Sequence, residues 1–230
     1  MTRFRSLLLD VDSTLAGVEG IDWLAARRGP EAAAAVAAAT ERAMRGELPL
    51  DAVYGERLAQ VRPGRADCAA LAEAYAAMLA PGAADALARM RAAGVRVALV
   101  SGGLQQGILP VARTLGFAPD AVHAVDVVFD AGGEYFAYDA GSPLATQGGK
   151  GEVARRVLAA WGPAARLALG CGDGSTDVAL RGEGRCDALA AFTGCARREA
   201  VVAAADYVVD DFAALTALVL GEEAGYPSRE

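Results

Sequence analysis

The 230-residue sequence contains no asparagine, one histidine (His123) and one lysine (Lys150) against 21 arginines. A single histidine excludes a multi-histidine metal site and argues against Ser-His-Asp chemistry. His123 itself lies in a strand-like run and reads as a packed or hydrogen-bonded side chain. The four cysteines, Cys68, Cys171, Cys186 and Cys195, form no CxxC pair, which argues against a zinc or redox motif and for reduced thiols in a cytoplasmic protein. Cys171 in particular reads as a small buried hydrophobe. There is no basic run, and the formal net charge is −7, so no nucleic-acid partner is expected. No uncharged apolar stretch reaches the roughly 20 residues of a membrane helix. The apolar run before Asp10 is three leucines, too short for a signal peptide. The lone lysine has two readings: an accident of composition, or a position where a compact ammonium fits and a planar guanidinium does not.

What is present points to a layered α/β protein. The chain is 54% hydrophobic, enough for one sizeable core and a smaller module. Short apolar runs read as buried parallel strands at Phe4–Leu9, Val95–Val100, Ala121–Val125, Arg166–Leu169 and Tyr207–Val209. Amphipathic stretches at Ala83–Ala93, Leu104–Leu115 and Glu152–Trp161 predict helices between them, with Trp161, like Trp23, as a packing anchor. This alternation predicts a doubly wound, mostly parallel sheet. Val127–Tyr138, with Asp130-Ala131-Gly132-Gly133 at its centre, predicts an antiparallel hairpin. The first two strands are too far apart for an ordinary crossover. The alanine-, leucine-, glutamate- and arginine-rich segment between them predicts an inserted helical cap over 15–79, with 1–14 and 80–222 forming the core and 223–230 a polar tail.

Four short motifs carry the chemistry. Asp10 and Asp12, in Asp10-Val11-Asp12-Ser13-Thr14, follow the first strand and face the crevice beyond its carboxyl end. Asp173 and Asp177, in Gly172-Asp173-Gly174-Ser175-Thr176-Asp177, follow a later one. Four carboxylates at neighbouring strand ends repel one another and raise their pKa values unless a cation lies among them. All-oxygen ligation selects a hard ion, and Mg²⁺ is the usual one beside a phosphate. Ser101-Gly102-Gly103 is expected to open a helix and to offer a hydroxyl and backbone N–H groups to an anion. Gly148-Gly149-Lys150-Gly151 lets the backbone pass close by while Lys150 reaches in.

Taken in this order, the motifs resemble those of the haloacid dehalogenase superfamily. The resemblance extends, from about Arg5 to Phe212, to phosphoserine phosphatases. The matching segments include Glu19-Gly20-Ile21-Asp22, Arg42-Ala43-Met44, Glu56-Arg57-Leu58 and Asp210-Asp211-Phe212. It implies a nucleophilic Asp10, an acid–base Asp12, and Mg²⁺ held by Asp10, the Asp12 carbonyl and Asp173 with Asp177 behind them. It also implies a phosphoryl group bound by Ser101, Gly102, Gly103 and Lys150, with Thr176 touching phosphate or substrate. Glu19 would meet the substrate ammonium, Arg57 its carboxylate and Met44 its serine moiety. Three positions depart from the family pattern, Leu50, Arg45 and Cys195. The resemblance makes L-phosphoserine the expected substrate, and these departures keep open the alternatives of a related ester such as phosphohomoserine or phosphothreonine, or a sugar or alcohol phosphate. A phospho-accepting switch is the rival of another class. The expected state is a monomer or homodimer acting on a small phosphomonoester, with no membrane partner.

Overall fold

The structure is a computed structural model that describes residues 2–44 and 50–222, the side chains of residues 43, 44, 50 and 51 excepted. The elements in chain order begin with β1 (Ser6–Leu9), followed by α1 (Gly20–Arg28), α2 (Pro30–Met44), α3 (Leu50–Val61) and α4 (Arg65–Ala77). Next come α5 (Ala83–Ala92), β2 (Arg96–Leu104), α6 (Gln105–Thr114), β3 (Val122–Val125), β4 (Val127–Phe129) and β5 (Tyr135–Tyr138). The chain closes with α7 (Gly149–Trp161), β6 (Ala168–Gly172), β7 (Ala188–Phe192), α8 (Glu199–Ala204), β8 (Tyr207–Val209) and α9 (Phe212–Leu220).

Six strands form one parallel sheet in the order β3-β2-β1-β6-β7-β8. β1 lies at its centre, with Leu9 paired to Leu99 of β2 and to Cys171 of β6. Leu7, Leu8 and Leu9 are fully buried, as a strand covered on both faces requires. Truncating Leu8 to alanine would cost about 2–5 kcal/mol through the cavity it leaves. The strand order reverses between β1 and β6. A crevice therefore opens at their carboxyl ends, and both acidic motifs emerge there. The expected hairpin is present as β4 and β5, paired antiparallel from Val127 to Tyr138.

Three sequence expectations are corrected. β7, Ala-Leu-Ala-Ala-Phe, was not expected: alanine is a helix former, and a strand buried on both faces shows no alternation to betray it. The strand expected at Arg166–Leu169 lies two residues later. Ser101-Gly102-Gly103 does not open a helix; it ends β2, and α6 starts only at Gln105.

Among the described residues, the segment between β1 and α5 carries four helices. Its two ends meet where Ala16 bridges Leu79 and the Ala80 N–H donates to the Leu15 carbonyl. α4 lies along α6 of the sheet layer, where a side chain on Gly107 would come within 2.8 Å of Leu71. Tyr54 on α3 donates to the Gly102 carbonyl at 2.8 Å, and its ring lies 5.5 Å from that of Tyr138 on the hairpin. The insertion is thus fastened to the sheet layer and the hairpin around the crevice.

Candidate active site

Asp10 leaves β1 with its N–H bound to the Cys171 carbonyl, which fixes the carboxylate at the mouth of the crevice. Lys150 Nζ lies 2.7 Å from Asp10 Oδ1 and 2.7 Å from Asp177 Oδ1, and all three side chains are buried. Glycine makes this approach possible. A Cβ on Gly149 would fall 1.5 Å from the Pro143 carbonyl oxygen, and one on Gly172 2.1 Å from Asp177 Cγ. Lys150 is therefore presented by the first turn of α7, which begins at Gly149, before the stretch that helical periodicity suggested.

Asp173 joins this cluster from the turn after β6. Its Oδ1 accepts from Thr14 Oγ1 at 3.0 Å, and its Oδ2 pairs with Arg198 Nη1. Arg198 Nη2 reaches Glu19 Oε1 at 3.3 Å, and Ser13 Oγ donates to the same oxygen at 2.8 Å. Ser13 holds a left-handed backbone (φ 52°), folding the loop so that Asp10 and Glu19 come to one crevice. The Asp12 carboxylate turns toward the inserted helices, where Gly20 N–H donates to Oδ2 at 3.1 Å and Tyr75 OH to Oδ1 at 2.5 Å.

At the end of β2, Ser101 Oγ is buried and accepts from the Gly103 N–H at 2.9 Å. Gly102 is tied to Tyr54. One helical turn beyond Tyr54, Arg57 pairs with Asp22 at 2.6 Å, while its Nε is buried with no partner. Thr176 is half-buried ahead of the turn Asp177–Leu180. The side chain of Met44 lies outside the described residues, as do those of Leu50 and Arg45. Sequence reasoning missed Arg198 and Tyr75. His123 stands on β3, and Cys171 is buried in β6 beside Asp10.

Burial raises the carboxyl groups more than mutual repulsion does. Asp12 is pushed up to about 7, first by burial and then by Glu19, against the hydrogen bond from Tyr75. Asp173 rises to about 6 through burial and Asp10, with Arg198 opposing. Asp177 moves upward by burial and Asp10 despite Lys150. Burial works against the charge of Lys150, but Asp10 and Asp177 together hold it above the usual lysine range.

One carboxylate oxygen from each of Asp10, Asp173 and Asp177 lies within 4.8 Å of the others, all buried. Such a donor set, all oxygen and anionic, fits a hard divalent cation and suits a soft metal poorly. Among the described residues, the Asp12 carboxylate enters no such group.

Comparison with known proteins agrees with this geometry. A family model described as haloacid dehalogenase-like hydrolase matches residues 7–182. The phosphoserine phosphatase of Homo sapiens is 34% identical over 210 residues, which cover 91% of this chain and 91% of the human protein. The chloroplastic phosphoserine phosphatase of Arabidopsis thaliana is 33% identical over 210 residues, or 91% of this chain and 70% of the plant protein. A solved structure of a phosphoserine phosphohydrolase-like protein from Francisella tularensis superposes with a TM-score of 0.80 at 21% identity, covering 94% of this chain and all of that one, and speaks for the fold. A family match running from the first strand past the last acidic motif, joined to relatives sharing a third of their residues over most of the chain, means that this protein belongs to the haloacid dehalogenase-like hydrolases.

Proposed function

We propose that the protein is a Mg²⁺-dependent phosphatase that hydrolyses L-phosphoserine to L-serine and phosphate through an aspartyl-phosphate on Asp10, with residues 15–79 as a cap over the site. The observation that carries this reading is Lys150 clamped between Asp10 and Asp177 at the strand crevice, beside an Asp12 whose pKa is near 7.

In the first half-reaction an Asp10 carboxylate oxygen attacks phosphorus, and the bond from phosphorus to the serine oxygen breaks as Asp12 gives that oxygen its proton. In the second, Asp12 takes a proton from water, the water oxygen attacks phosphorus, and phosphate leaves with Asp10 restored. A group poised near neutrality can serve both directions. This supports turnover over a long-lived phosphorylated switch. Lys150, the Ser101 hydroxyl and the Gly102 and Gly103 N–H groups would neutralise charge on the transferring oxygens. Mg²⁺, held by Asp10, Asp173 and the Asp12 carbonyl with Asp177 behind them, would add positive charge at the same oxygens when bound.

Substrate choice is assigned to the inserted helices. Glu19 would take the ammonium, and Arg57, whose buried Nε lacks an acceptor, would take the carboxylate, with Met44 and Thr176 completing the contact surface. The phosphoserine phosphatase relatives support this choice. The four unpaired cysteines support a reducing, cytoplasmic setting, and no helix among the described residues is long and apolar enough to cross a membrane.

The test is the ratio of kcat/KM for L-phosphoserine to that for p-nitrophenyl phosphate. Losing one partner of a desolvated charge pair costs roughly 2–5 kcal/mol, so Glu19→Gln and Arg57→Ala should each lower the ratio by about thirtyfold or more. An unchanged ratio would assign the enzyme to another small phosphomonoester. The same assay over phosphohomoserine, phosphothreonine and sugar phosphates would then find it.

A further inference from the structure

Asp12 must face the serine oxygen in one half-reaction and water in the next, so its carboxyl group has to be aimed as well as present. Tyr75 lies fully buried on α4, and its hydroxyl is spent on this one group. Both Asp12 oxygens are held from the insertion, Oδ2 by the Gly20 N–H at its start and Oδ1 by the Tyr75 hydroxyl near its end. The slot around that hydroxyl is closed by glycine. A Cβ on Gly20 would lie 2.4 Å from it, and one on Gly103 3.2 Å. A tyrosine that only filled the core would have no need of a hydroxyl, and a buried hydroxyl is tolerated where it finds a partner.

We propose that Tyr75 is a positioning residue for the acid–base step, fixing the Asp12 carboxyl group so that it serves the leaving oxygen and then the attacking water. The inference rests on the phosphatase reading above. A few tenths of an ångström or a modest rotation at a proton-transfer group is enough to slow such steps.

The decisive substrate is 2,4-dinitrophenyl phosphate, whose leaving group needs no proton, so that only hydrolysis of the aspartyl-phosphate depends on Asp12. Tyr75→Phe is expected to give a full burst of dinitrophenol at the wild-type rate, followed by turnover slowed about tenfold. With L-phosphoserine kcat should fall about tenfold or more while KM changes less than about threefold. A packing role would lower the burst amplitude and leave turnover per active site unchanged, and that result would overturn the inference. So would a kcat within about twofold of wild type. Gly20→Ala gives an independent arm. Its methyl collides with the hydroxyl in the wild type but meets nothing closer than 3.4 Å once that hydroxyl is gone. Alone it should slow turnover about tenfold, and added to Tyr75→Phe by less than about twofold, whereas losses that multiply would refute the shared mechanism. Asp12→Asn separates the two levels. If it retains activity, the acid–base reading fails; if it is inactive while Tyr75→Phe is not, only the role of Tyr75 fails.

Discussion

Lys150 meets Asp10 and Asp177 with side chains 5%, 6% and 0% exposed, whereas Arg57 meets Asp22 with the aspartate 45% exposed, and Glu19 meets Arg198 with both about half in solvent. On the sheet side Lys150, Asp10 and Asp177 hold one another, and Gly149 and Gly172 leave no room for a side chain beside them. On the helical side each of these pairs has a partner more than 40% exposed, and under the proposed function a substrate would displace it. Under the proposed function this contrast is a division of labour: the phosphoryl half is pre-organised and intolerant, and the half that would choose the substrate can vary without disturbing it.

The comparison is broken most severely at Asp10. Asp10→Asn keeps shape but removes the nucleophile of the proposed mechanism, and phosphate release should fall at least about a thousandfold for every substrate. Retained activity would leave the buried half without its chemistry. Lys150→Arg comes next. A branched, planar guanidinium cannot occupy a buried point 2.7 Å from each of two carboxylates, and kcat should drop about a hundredfold despite the conserved charge.

A weaker effect is expected on stability. In chelator, Asp12 and Asp173 have folded pKa values of about 7 and about 6, above the ordinary value of 3.8. The folded state therefore binds more protons than the unfolded chain between those limits. Metal-free protein should be most stable at low pH within this window, and should lose stability as pH rises from about 4 to about 7. A melting series in chelator tests this, and saturating Mg²⁺ should flatten the slope. The smallest effect belongs to the exposed pair Glu152–Arg156 on α7: Glu152→Ala should change stability by less than about 0.5 kcal/mol and leave kcat unchanged.

The buried half was the more legible in sequence, for a physical reason. Aspartates ending a run of leucines are too costly to bury without a purpose, and a lone lysine among arginines marks a geometric demand. Gly149 announced close approach, though not that α7 would begin there, whereas the close approach at Gly172 showed only in the fold. Arg198 was invisible, being one arginine of many, and it reaches Glu19 and Asp173 only because the sheet order brings distant loops together. Tyr75 was hidden differently: an aromatic in an alanine-rich helix reads as packing, and only the folded chain shows where its hydroxyl points. β7 was lost because its alanines fit helix and buried strand alike.

The single lysine has a practical consequence. Protein grown on lysine labelled with ¹⁵N at the side chain carries one labelled ammonium group, and that group is the one between Asp10 and Asp177. Its resonance needs no assignment. Held by two carboxylates and shielded from water, its protons should exchange slowly enough to be seen, and their shift should respond to each ligand that alters the charge around Asp10. The chain thus carries its own spectroscopic probe at the centre of its chemistry, with no engineering of the sequence.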